Sequence, residues 1–220
     1  MKREHLTGAV LFSVLLIFSG ALTIQGNLYG SNTASSAVVQ PEPEPEEVEE
    51  ALDAEHLIRE VLQNPRKVTP FPVEHIDSET LWLARAIYSE TKRPEEMELV
   101  AWVVRNRVET AYRGKTTYRS AVLDPYQFSA FNPGRKRSHY ANLTPRSRAA
   151  GFDNALRIAY SVRHADPGYR PFSQSTRHFY SEQSMVGVRH PSWAQGGRKV
   201  NPQRNFTINE RRFRFFEGVS

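Results

Sequence analysis

One carboxylic acid in this chain has the setting that proton-transfer chemistry requires. Glu90 closes the stretch Ala84-Arg85-Ala86-Ile87-Tyr88-Ser89-Glu90, among apolar and aromatic neighbours and with a turn directly after it. A carboxyl held there is partly desolvated by its own helix and by the following loop. Desolvation disfavours the charged form, raises the pKa and lets the group stay protonated as a general acid. Cleavage of a glycosidic bond needs such a group to protonate the leaving oxygen. Periodicity by itself favours an exposed helix-end glutamate, so the catalytic reading has to come from the rest of the chain.

A hydrolase of either stereochemistry wants a second carboxylate across the scissile bond. Asp124, Glu95 and Glu96 are the candidates. Glu95 and Glu96 follow Pro94 and are explained by the positive end of a helix dipole, and Asp124 precedes Pro125 as an ordinary turn former. None is convincing. Gln127 and Ser129 offer amide and hydroxyl groups to sugar hydroxyls or N-acetyl groups, and His178 is a further substrate-binding candidate. Phe128, Tyr180 and Trp193 could stack on sugar faces, although Phe128 also suits a core and Trp193 a structural turn. Arg105, Arg107 and the run Arg135-Lys136-Arg137 could meet carboxylates of a ligand, but most of them read as solvated surface. The histidines have no metal-ligand spacing, so no metal and no cofactor is expected.

The elements that must position these groups come in an α+β order. Asp77 or Ser78 can cap a first helix carrying Leu81, Ala84, Ile87, Tyr88 and Thr91 along one side. Pro94 starts a second helix, which Leu99, Val100, Val103, Val104 and Val108 turn inward. A turn-rich segment around Tyr118–Asn132 leads to a third helix over Arg146–Val162. After Asp166-Pro167-Gly168, Thr176–Tyr180 and the Phe206–Phe216 region read as short strands, the latter with a hairpin near Asn209-Glu210. This makes a helical domain with a small antiparallel β element toward the C-terminus.

Length and charge place that domain. The 220 residues suit one domain plus extras. With no cysteine there are no disulfides, no thiolate nucleophile and no Cys-ligated zinc. Residues 1–75 hold 5 basic and 11 acidic side chains, a net of −6, whereas residues 76–220 hold 24 basic and 13 acidic, a net of +11. The basic part favours a polyanionic partner: nucleic acid, anionic membrane or a charged wall polymer. Leu6–Ile24 is a mostly apolar run behind Met1-Lys2-Arg3, just long enough to span a bilayer core and equally readable as a signal peptide. Residues 1–26 are therefore expected to be a signal peptide or an N-terminal anchor in the inner membrane. Residues 27–50 are expected to be a disordered Pro/Glu-rich linker, 51–75 a helical lead-in, and 76–220 the functional domain. Export to the cell envelope demotes nucleic acid as a partner, and a monomer is expected.

The ordered motifs resemble the SleB-like, spore-cortex-lytic cell-wall hydrolases. The resemblance runs through Ala84–Glu90, Asn106-Arg107-Val108, Val122-Leu123 with Gln127-Phe128-Ser129, His178-Phe179-Tyr180, Pro191-Ser192-Trp193-Ala194 and Phe213-Arg214-Phe215-Phe216. It covers roughly residues 80–217, with departures at Thr91-Lys92-Arg93-Pro94 and Tyr169-Arg170-Pro171-Phe172 that bear on subsite preference. It implies a lysozyme-like catalytic domain that cleaves peptidoglycan glycan strands with Glu90 as acid and base. A lytic transglycosylase needs only one carboxyl, so the missing second acid favours a 1,6-anhydromuramyl product. Muramidase- or glucosaminidase-type hydrolysis, a wall amidase and a non-enzymatic binder of anionic polymers are the alternatives.

Overall fold

A computed structural model describes residues 45–68, 71–133, 139–185 and 190–219. The expected signal peptide or anchor and all of the linker before Pro45 lie outside the described residues, as does the Arg135-Lys136-Arg137 run. Among the described residues no helix is long and apolar enough to cross a membrane.

Helices come first, among them α1 (Pro45–Gln63), α2 (Ser78–Glu90), α3 (Pro94–Glu109), α4 (Tyr118–Val122) and α5 (Phe152–His164). Then follow β1 (Thr176–Tyr180), the single helical turn α6 (Trp193–Gly196), β2 (Arg198–Val200) and β3 (Arg214–Glu217). The strands form one antiparallel sheet in the order β1-β3-β2. The expected helices-then-sheet class is what the chain adopts.

The centre is α3, which packs against α2, α4, α5 and β1. Every residue from Glu96 to Arg107 is buried, so this helix has no solvent face. Its apolar side chains each contribute roughly 1.5–3 kcal/mol by leaving water. Two polar members are tied internally: Glu98 accepts from Trp102 Nε1 at 2.6 Å and from Arg204 Nη2 at 2.7 Å. Helix α2 starts as expected, with Asp77 accepting from the Thr80 amide at 2.8 Å, and Pro94 stands in the first turn of α3.

Three expectations need revision, and the open question of whether the first helix packs on the domain is decided in favour of packing. The first helix begins at Pro45, so the last residues assigned to the linker are helical. Its C-terminal half belongs to the core: Ile58, Val61 and Leu62 are buried against α5, and Arg157 donates to the Pro65 carbonyl at 2.9 Å. The lead-in therefore packs with residues 76–220 in one unit. The helix expected from Arg146 starts only at Phe152, because Gly151 takes a left-handed conformation (φ 79°) that breaks any earlier run. No hairpin forms at Asn209-Glu210. Asn209 makes a tight turn, its side chain accepting from the Arg211 amide at 3.0 Å, while β3 pairs with the distant β1 and β2.

Candidate active site

Glu90 is the last residue of α2, and its backbone placement is over-determined. The Thr91 amide closes the helix on the Ile87 carbonyl, and Thr91 Oγ1 donates to Glu96 Oε2 at 2.6 Å and accepts from the Arg93 amide at 3.1 Å. Glu96 is in turn held by Arg212 Nε at 2.7 Å. One turn back, Tyr88 donates to the Ala150 carbonyl at 3.1 Å, and the Lys92 ammonium sits over the Tyr88 ring at 3.3 Å while donating to the Tyr88 carbonyl. Glu90 follows Ala86 and Ile87 by four and three residues, and both are fully buried. The carboxyl thus extends the buried face of its helix rather than the solvent face.

It opens into a cleft of about 510 Å³. Gln127, Ser129, Tyr180 and Arg107 line the same cleft. Among the described residues the Glu90 carboxyl has no hydrogen-bond partner, so only the fields of Arg107 and Lys92 favour its ionised form. Burial pushes its pKa up to about 7 against the opposing pull of the Arg107 and Lys92 cations. A group that titrates near neutrality can give a proton and then take one back.

Among the described residues no second acid lines this cleft. Asp124 is buried in a clamp of Arg113, at 2.6 Å, and Lys115, at 3.8 Å. Glu95 pairs with Arg66, and Glu96 with Thr91 and Arg212. All three rejected candidates have structural partners.

A second cleft of about 410 Å³ adjoins the first, sharing Arg107, Tyr126, Gln127, Phe179, Tyr180 and Met185 as lining residues. His178 lines this one, together with Tyr112, Arg113 and Trp193. Its Nε2 meets the Tyr112 hydroxyl at 3.0 Å, and its pKa is lowered to about 4 by burial and by the Arg107 and Arg177 cations. The ring is therefore neutral near pH 7. Tyr180 is buried, with its hydroxyl on Glu182 Oε1 at 3.0 Å and its ring stacked on Phe216. Of the expected contact residues Gln127, Ser129, Tyr180 and His178 thus line the clefts, with His178 in the second only.

Phe128 does not. It is 1% exposed and part of the hydrophobic core, with its ring between Phe179 and the Arg107 guanidinium. Its side chain points away from the groove that its neighbours Gln127 and Ser129 line, so it cannot stack on a sugar. Trp193 packs edge-on to Tyr180 and Phe216 at the end of the second cleft.

The fold gives Tyr126 a role that the sequence did not suggest, and it moves Arg107 from a surface reading to the cleft wall. Tyr126 is 88% exposed, has a left-handed backbone (φ 65°) and lines both clefts. A large aromatic held in that region is uncommon and strained, which is a frequent mark of a functional site. The Asp124-Pro125 turn just before it was the available signal. Arg107, read as surface, is 5% exposed. The adjoining polar residues at the end of α3 are stitches: Arg105 Nη1 donates to the Val162 and Ala165 carbonyls at 2.7 and 2.8 Å, and Asn106 Nδ2 to the Thr176 carbonyl at 2.8 Å. Arg107 Nε likewise donates to the Arg177 carbonyl at 2.7 Å, and the rest of its guanidinium stands in the wall between the clefts. Three polar residues in a row on an otherwise apolar helix were the signal for it.

Among the described residues no group of three His, Asp or Glu side chains comes together as a metal site. Comparison of the chain with protein-family models, with curated proteins and with solved structures finds no match.

Proposed function

We propose that the chain cleaves the glycan strands of peptidoglycan as a lytic transglycosylase, with Glu90 as the sole acid and base and a lysozyme-like arrangement of its helices. The observation that carries this reading is an unpaired, partly buried carboxyl with a pKa of about 7, alone of its kind in a groove walled by aromatic and amide side chains. The ordered motifs resembling SleB-like cell-wall hydrolases support the same substrate, and the basic domain suits an anionic polymer of the cell envelope.

The chemistry needs one carboxyl. Protonated Glu90 gives its proton to the oxygen between C1 of N-acetylmuramic acid and C4 of N-acetylglucosamine, and the C1–O bond breaks with positive charge building on the muramic ring. The resulting carboxylate takes the proton of the muramic C6 hydroxyl as that oxygen bonds to C1. Glu90 is protonated again, the leaving sugar carries a free 4-hydroxyl, and the muramic end is a 1,6-anhydro sugar. No water is consumed. In the hydrolytic alternative a water takes the place of the C6 hydroxyl and leaves a reducing end.

Digestion of purified sacculi by the full chain, read by mass spectrometry of the released muropeptides, tests the proposal. Anhydro-ended products that vanish with Glu90→Gln are expected. Reducing ends replace transglycosylation by hydrolysis, and free stem peptides mean an amidase. Intact sacculi with tight, salt-sensitive binding make the chain a polymer-binding module instead.

A further inference from the structure

The second cleft has a charge pattern that glycan cleavage does not use. Arg107 and Arg113 line it, Arg177 stands behind it over the Tyr112 ring at 4.7 Å, and no acid is among its lining residues. The two lining cations differ in kind. Arg113 is half exposed and shares Asp124 with Lys115. Arg107 is buried and engages one protein acceptor through Nε, while its terminal nitrogens have none among the described residues, Nη1 being fully buried. A buried guanidinium with unmet donors is costly, and with Nε bonded and Nη1 enclosed it is Nη2 that is left to meet an acceptor from the cleft, for which a carboxylate supplies the matching charge. Opposite it, His178 is neutral, its Nδ1 also buried without a partner. Asp124 compensates Arg113 and Lys115 directly and Arg107 only through its field, so the Arg107 side of this aromatic wall can still receive an anion.

We propose that this second cleft is a carboxylate subsite that receives the lactyl carboxylate of a muramic residue whose stem peptide has been removed. The inference rests on the proposed action on glycan strands and names which strands are preferred. The shared lining decides between the two sources of carboxylate on such a strand. The second cleft shares its inner wall with the Glu90 cleft, so a sugar seated by Glu90 presents the substituent on its own ring to Arg107. The lactyl carboxyl lies a few bonds from that ring. In an intact strand it is an amide without charge, and the carboxylates of the stem peptide lie farther out. Strands already stripped by an amidase are then the substrate, which places this reaction after peptide removal.

The test compares three substrates with the full chain: intact sacculi, amidase-stripped strands, and stripped strands whose lactyl carboxyls are converted to methylamides. Stripped strands are expected to be cleaved with a kcat/KM about tenfold or more above both others, since a hydrogen-bonded charge of this kind is worth at least that factor. The advantage shrinks in 0.5 M salt and in Arg113→Gln. Equal rates on stripped and amidated strands overturn the proposal, and a preference for intact sacculi assigns the cleft to stem-peptide carboxylates instead. The same strands titrated calorimetrically into the Glu90→Gln chain separate this inference from the catalytic one. Carboxylate-dependent binding without any cleavage by the wild-type chain keeps the subsite and removes the enzyme. Cleavage with binding that ignores the carboxylate does the reverse.

Discussion

Glu90 and Arg107 line one cleft without forming an ion pair. The guanidinium is held back by its bond to the Arg177 carbonyl, so its field reaches the carboxyl only in part and desolvation dominates. Direct contact would drive the carboxyl well below its ordinary value and leave it useless as an acid at neutral pH.

Replacing Glu90 by Gln is expected to abolish strand cleavage, a fall of about 10²-fold or more. It is also expected to stabilise the fold at high pH. The folded-state pKa of about 7 lies above the ordinary 4.5, so the wild-type chain loses stability as pH rises from about 4.5 to about 7. The full loss is roughly 3 kcal/mol. Thermal melts at pH 4 and pH 8 check this, with the variant more stable than wild type at pH 8 only.

Activity requires the protonated acid at the start of the cycle, so kcat/KM is expected to decline above about pH 7. Lys92 pulls the Glu90 pKa down. Lys92→Met therefore moves the alkaline limb to higher pH, by roughly a few tenths of a unit for a cation screened by solvent. A pH–rate profile of both chains on stripped strands measures the displacement, and its sign is the critical result.

Tyr126 separates binding from stability. Its exposed ring at the rim of both clefts suits stacking on a sugar face, while its left-handed backbone is strained. Tyr126→Gly is expected to raise the melting temperature, since glycine relieves about 1 kcal/mol of strain there, and to raise KM at the same time. A variant that loses stability, or one that digests sacculi normally, contradicts this assignment.

Removing residues 1–75 takes away Ile58, Val61 and Leu62 and strips their cover from α5. Burial of three such side chains is worth roughly 1.5–3 kcal/mol each, so residues 76–220 alone are expected to be several kcal/mol less stable than residues 43–220. Urea denaturation of the two fragments gives the difference directly.

Much of the scaffold was legible because its signals are local. Asp77 caps α2, Pro94 opens α3, and Thr176–Tyr180 alternates as a strand, each through atoms a few residues apart. The errors fall where a distant partner or a backbone conformation intervenes. Gly151 delays α5 by turning left-handed, and Phe206–Phe216 forms no hairpin because β3 finds its partners in β1 and β2.

The candidate site divides in the same way. Residue order singled out Glu90, with Gln127, Phe128, Ser129, His178 and Tyr180, only through the resemblance its motifs carry, since periodicity alone left Glu90 an exposed helix end. It also left Glu90 without a second acid. The pKa of about 7, the burial of Phe128, the paired fates of Asp124, Glu95 and Glu96, and the place of Arg107 between two clefts were decided by tertiary structure. Desolvation and field strength depend on which side chains surround a charge in space, and α2, α3 and β1 meet only when the chain has folded.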